Sequence, residues 1–121
     1  MSKLTMEQKR ARDAWEKAEA GLRQHGKDYA NDAKGLPALI MNSGLMQVMA
    51  FLEQKGGRHA TLGRHLRQWL HRARGTPEDF DGFMEAMMQA DSRKFQAVTT
   101  EAFAWLRWLR QMADARQGGN D

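Results

Sequence analysis

A compact single-domain bundle of five to six α-helices is the fold the sequence predicts, and three observations predict it. The chain holds only two prolines, Pro37 and Pro77, and both sit where a helix can begin. No stretch alternates apolar and polar residues for long enough to make a half-buried strand. Hydrophobic residues are 41% of the chain against 28% charged, and they recur at helical spacing. With 121 residues the chain suffices for one domain with a real core. That domain is expected to span residues 1–121, with 1–4 and 116–121 frayed.

The first helix is expected to start at Thr5, whose hydroxyl caps it while Gln8 reaches back in a capping box. Leu4, Ala11, Trp15, Ala18 and Leu22 then recur on one face, which is expected to be buried. Gly26 ends this helix, and a short helical turn is expected over Tyr29 to Lys34. Pro37 is expected to open a block that runs through Ala38, Leu39, Ile40, Met41, Leu45, Met46, Val48, Met49, Phe51 and Leu52. Apolar nearly all round, it reads as the central helix of the core, broken near Asn42-Ser43-Gly44 and stopped by Gly56-Gly57. A further helix runs from about Arg58 to Arg74. Thr76 is expected to cap the next, with Pro77 at its first position and Glu78, Asp79 and Asp81 in the first turn, where the helix dipole favours negative charge. The last helix starts near Asp91 or Ser92 and runs to about Ala115. Its buried arc holds Phe95, Val98, Ala102, Trp105, Leu106, Leu109, Met112 and Ala113.

Composition excludes several classes of function. There are no cysteines, so disulfides, Cys-based zinc sites, iron–sulfur clusters and thiol nucleophiles are all ruled out. The longest apolar stretch, Leu36 to Met41, is far too short to cross a bilayer, so no membrane partner is expected. The opening Met1-Ser2-Lys3-Leu4-Thr5 turns charged at once, so no signal peptide is expected and a cytoplasmic location is. The net charge of +4 permits a polyanionic partner without requiring one.

Placement of the charge says more than its sum. Between Arg58 and Arg74 lie five arginines, three of the four histidines and no acid. At about 100° per residue, Leu62, Leu66, Trp69, Leu70 and Ala73 share one arc, while Arg64, Arg67, His71 and Arg74 share another. The second set forms a ladder of donors about 15 Å long on the outer edge of an anchored helix. Like charges so placed repel unless something negative lies opposite, and phosphate suits the planar guanidinium. Arg64, Arg67, His71 and Arg74, with Arg58 and Arg72 beside them, are therefore the candidate nucleic-acid-binding residues. The plainer readings are a solvated face, or pairing with the acids between Glu78 and Asp91.

No catalytic residue, cofactor or metal site is expected. His59, His65 and His71 are six apart, placing successive rings about 240° round the helix, so they do not converge on a metal. His59 and His65 are expected to titrate in solvent. No HExxH, Gly-rich phosphate loop or Ser-x-x-Lys pair occurs. Glu78, Asp79, Asp81 and Glu85 are accounted for, in the first three cases, by the expected cap. Met84, Met87 and Met88 read as core or contact filler. Phe103 and Trp108 fall outside the buried arc of the last helix and are the candidate protein-interface residues, although packing against the first helix is the commoner outcome.

Scattered pieces in a fixed order carry a family resemblance. Leu36-Pro37-Ala38-Leu39-Ile40, Asn42, Gly44-Leu45, Ala50-Phe51 and Lys55 resemble the small helical subunit of type III-B CRISPR–Cas (Cmr) effector complexes. Arg10-Ala11 with Trp15, then Tyr29, and finally Thr100-Glu101-Ala102 with Leu106, Trp108-Leu109-Arg110 and Ala113 fall in the same order. Together they span nearly the whole chain, while Arg58 to Ala90 matches in general character only. The resemblance implies a non-enzymatic RNA-binding subunit in antiviral defence, with no cofactor. Its implied partners are the other Cmr subunits, further copies of itself in a head-to-tail filament, and the guide RNA with its target RNA.

Physical chemistry is compatible with that role. A protein that accepts any guide must touch backbone rather than bases, and A-form duplex favours phosphate and shape recognition. About four phosphate contacts per copy bind weakly alone and rely on neighbouring copies, so the isolated chain is expected to be monomeric with poor RNA affinity. Two other readings remain at this point: a helical DNA-binding regulator, for which only Gln68 supplies an amide on the basic helix, and a pure protein-interaction adaptor. Sequence leaves open whether Arg10, Arg12 and Lys17 on the first helix also reach RNA.

Overall fold

The computed structural model describes residues 3–118, and among them every regular element is a helix. They run in the order α1 (Met6–His25), α2 (Lys27–Ser43), α3 (Leu45–Lys55), α4 (Gly57–Arg74), α5 (Phe80–Gln89) and α6 (Ser92–Gly118). The first three joints are one glycine each. Gly26, Gly44 and Gly56 have φ of 66°, 86° and 71° with extended ψ, a region of backbone space essentially closed to side-chain-bearing residues. The Thr5–Gln8 capping box forms in full.

Helix α6 is the central one, packed against α1, α2 and α4. Val98, Ala102, Trp105, Leu106, Leu109 and Ala113 are buried from its face as expected, with Phe95 and Met112 partly so. The α2–α3 block is therefore not the centre: Leu39, Phe51 and, most of all, Met41 (79%) are exposed. Nor does a helix begin at Pro37. Tyr29, Ala30, Ala33, Leu36 and Ile40 are buried in one unbroken face of α2, and that burial outweighs the backbone hydrogen bond lost at an interior proline. The expected turn over Tyr29 to Lys34 is simply the first part of this helix. At the far end α6 continues through Arg116 and Gln117, past Ala115, and the fraying expected for 1–2 and 119–121 lies outside the described residues.

The face that α1 buries is the expected one only in part, with Ala18 buried and Ala11 and Leu22 partly so. Leu4 and Trp15 are nearly half exposed (47% and 46%), while Asp13, Ala14, Ala18 and Gly21 face inward. Small residues let α1 approach its neighbours closely: a Cβ at Gly21 would collide with the ring of Tyr29. Trp15 instead lies under Arg116, whose guanidinium sits 4.0 Å from the ring centroid.

Two buried carboxylates tie α1, α4 and α6 together. Asp13 of α1, 1% exposed, accepts from Trp105 Nε1 of α6 at 2.8 Å, Arg72 Nη1 of α4 at 3.1 Å and Lys17 Nζ at 3.0 Å. Glu101 of α6, 2% exposed, accepts from Arg10 of α1 through Nε (2.5 Å) and Nη2 (3.0 Å), and from Trp69 Nε1 of α4 at 3.0 Å. Burial alone raises the pKa of Glu101, but the bonds from Arg10 and Trp69 outweigh it and hold the group below the usual carboxylate range. A second buried polar pair joins α2 to α4, where the Tyr29 hydroxyl and His65 Nδ1 are hydrogen-bonded at 2.7 Å. His65 is thus a buried, neutral ring and not the solvent-titrating one expected. Desolvation, then the charges of Lys17 and Arg64, push its pKa down to about 4.

Both buried groups can be tested by denaturation. Glu101→Ala leaves Arg10 and Trp69 without an acceptor and should cost about 3–5 kcal/mol in urea unfolding. His65 gives a pH signature: the unfolded state takes up its proton below about 6.5, whereas the native state resists until about 4. Stability contributed by neutral His65 is therefore complete above pH 6.5 and lost across that window, by about 3 kcal/mol. In His65→Gln this part of the pH dependence should vanish.

Candidate nucleic-acid interface

Helix α4 forms with the predicted arcs, since Leu62, Leu66, Trp69 and Leu70 are buried and Ala73 is partly so. The expected ladder of Arg64, Arg67, His71 and Arg74 does not stand free along its length. Arg67 is only 5% exposed. Its Nε donates to the Glu78 carbonyl at 2.7 Å, its Nη1 lies 3.5 Å from Met49 Sδ and 3.6 Å from Glu53 Oε1, and the guanidinium sits 5.8 Å from the Phe80 ring centroid. Burial lowers its pKa from the usual guanidinium value, and Glu53 opposes that shift. As a candidate RNA contact Arg67 is corrected: it is a pin that fastens the α4–α5 loop.

His71 helps in the same task. Its Nδ1 donates to the Thr76 carbonyl at 2.9 Å, with Nε2 3.8 Å from Glu78 Oε2. The bonds from Arg67 and His71 of α4 to two of its carbonyls hold the segment Thr76–Glu78 in a non-helical path. Consequently α5 starts at Phe80, three residues later than expected, and Asp79 caps it by accepting from Gly82 N at 2.7 Å. Thr76, the expected cap, is buried with Oγ1 unpartnered, and only Asp81 of the three expected acids falls in the first turn.

The flanking arginines are committed too. Arg58 donates to Asp32 Oδ2 at 2.7 Å and lies 3.9 Å from Asp28, joining α4 to α2. Arg72 serves Asp13, although its side chain stays 58% exposed. Among the described residues, Arg64 and Arg74 are exposed and have no ion pair or hydrogen bond. They lie at the two ends of the ladder, about 15 Å apart along the helix, with half-exposed His71 between them. His59, expected in solvent, is partly covered: it lies 3.8 Å from Asp32 and edge-on to Phe51.

On α1, Arg10 and Lys17 are spent on Glu101 and Asp13, whereas Arg12 is exposed. Sequence reasoning missed Lys9, which is exposed one helical step from Arg12; their i, i+3 spacing is the signal that could have found it. Phe103 and Trp108 are both half-buried against the core. Phe103 shares a groove of about 370 Å³ with Pro37, Met41, Leu106, Arg107 and Arg110. The α3–α4 joint is Gly56 alone, shorter than the three- to four-residue turn of DNA-reading helix pairs. Among the described residues, no three His, Asp or Glu side chains are grouped to hold a metal, and no helix is long and apolar enough to cross a membrane.

The division between pinned and free arginines is measurable. Arg67→Glu would bury an unpaired carboxylate and should lower stability by about 3 kcal/mol or more. Arg64→Glu should change it by no more than about 0.5 kcal/mol. Equal urea midpoints for the two variants would overturn the division.

Comparison with known proteins gives one family. Residues 6–116 match the family of the CRISPR-associated protein described as Cas_Cmr5. A "CRISPR system Cmr subunit Cmr5" of Thermus thermophilus is 30% identical over 107 residues, covering 87% of this chain and 90% of the relative. One of Thermotoga maritima is 30% identical over 97 residues, covering 78% and 70%. The crystal structure of a Cmr5 family protein, also from Thermus thermophilus, superposes with a TM-score of 0.78 at 29% identity, over 93% of this chain and 97% of that one.

Proposed function

The chain belongs to the Cas_Cmr5 family, the small subunit of Cmr (type III-B) CRISPR systems, and from that premise we propose that it is a non-catalytic brace that contacts guide and target RNA through backbone phosphates without reading sequence. The observation that carries this reading is the pair Arg64 and Arg74, two exposed cations about 15 Å apart along one helix that make no ion pair or hydrogen bond among the described residues. Each can donate paired bonds to phosphate oxygens, which carry no sequence information. The buried carboxylates, Asp13 and Glu101, are engaged in holding helices together, which suits a scaffold better than an acid–base centre.

Stacking of copies into a filament, alongside the other Cmr subunits, is part of the same proposal. The groove of Phe103 and Met41, bordered by Arg107 and Arg110, supports it as an apolar patch with a charged rim. A single copy offers few phosphate contacts, so binding strength would come from repetition along the filament, and the isolated chain would be a monomer with low RNA affinity.

The test is RNA retention by the assembled complex. Arg64→Glu with Arg74→Glu should weaken it and lower the slope of log affinity against log salt by about two per copy, with the complex still assembled. Phe103→Ala in the same pull-down should recover less of the neighbouring subunits. Unchanged RNA retention and an unchanged salt slope would leave a pure protein-interaction adaptor.

A further inference from the structure

A second basic surface lies where the start of α1 meets the end of α4. There Leu4, Met6, Lys9, Arg12, Trp69, Arg72 and Ala73 line a groove of about 290 Å³, near the lower end of small-ligand sites. Its charge is of one sign: three cations and no carboxylate line it. Lys9 and Arg12 make no ion pair among the described residues, and Arg72, though bonded to Asp13, keeps a side chain 58% exposed. Its other wall is apolar. Leu4 and Met6 stand 47% and 44% exposed beside the Trp69 indole.

That pairing of surfaces selects an occupant. A duplex presents phosphates and sugars, leaving an apolar wall without use, because its base faces are stacked inside. An unpaired nucleotide offers an apolar base face and an anionic phosphate within one residue's length, which is what single-strand binding surfaces accommodate. We propose that the α1–α4 groove binds single-stranded RNA, seating one base against Leu4 and Met6 and the flanking phosphates on Lys9, Arg12 and Arg72. The proposal rests on the reading of the chain as an RNA-contacting subunit and adds to it a second surface with a preference for unpaired RNA.

The experiment is a titration of the full-length ¹⁵N-labelled chain with single-stranded hexauridylate, and with an RNA duplex of matched phosphate number. Shifts of the Met6, Lys9, Arg12 and Ala73 amides are expected with the single strand, at about tenfold higher affinity than the duplex shows. Lys9→Glu with Arg12→Glu should weaken single-strand binding about tenfold and reduce its salt slope by about one. Leu4→Ser with Met6→Ser alters exposed side chains, so the fold should persist by circular dichroism; it should abolish the single-strand preference and leave duplex affinity unchanged. Equal shifts with the duplex, shifts confined to another surface, or none at millimolar RNA would overturn the proposal. Equally strong groove binding of polyglutamate of matched charge would also overturn it, assigning the groove to an acidic protein partner. Arg64→Glu with Arg74→Glu should leave this titration unaltered. If that pair alone lowers RNA retention in the complex while the groove variants are silent, the groove falls and the function proposed above stands.

Discussion

Asp13 and Glu101 set the geometry of this protein. Each is a carboxylate withdrawn from water, and each accepts from one tryptophan indole and at least one cation. The exchange is crossed: α1 gives an acid to the tryptophan of α6 and an arginine to its acid, while α4 supplies a tryptophan to one acid and an arginine to the other. Such an arrangement adds little net stability over an apolar core, but breaking one arm is costly because it strands a buried charge. Its value lies in register. With three helices held at fixed rotation and height, the cations on their outer faces keep fixed spacing.

Much of the fold is legible from local rules. The Thr5–Gln8 box and the glycine stops at 26, 44 and 56 can be placed from sequence because capping and positive φ act within a few residues. The differences lie where a distant partner outvotes local chemistry. Pro37 is a good helix opener, yet the buried face running from Tyr29 to Ile40 carries α2 through it. Thr76 is a good cap, yet Arg67 and His71 hold the following backbone away from helical form. Part of the buried face of α1 escapes a pattern that weights large apolar residues, because Ala14 and Gly21 are buried for their small size, which permits close approach.

The basic stripe shows the same limit in another way. Helical periodicity gives the angle at which a side chain leaves its helix and says nothing of what waits there. Arg64, Arg67 and Arg74 share an edge by angle, but the α4–α5 loop passes over the middle one. Three of the sequence pieces that resemble the family, Arg10, Tyr29 and Glu101, prove to be internal ties. Such residues mark kinship of fold, and for that reason they reveal membership without revealing where a polyanion would lie.

The one-residue corners at Gly26, Gly44 and Gly56 leave the first half of the chain without slack. An insertion in a longer connection can bulge outward. In α2 or α3 it has nowhere to go, and each added residue would turn everything after it by about 100° and advance it about 1.5 Å. Length variation among relatives should therefore gather after Gly75, in the stretch around α5, where a real loop can take up the difference. The half of the molecule before that loop behaves as a gauge of fixed dimensions.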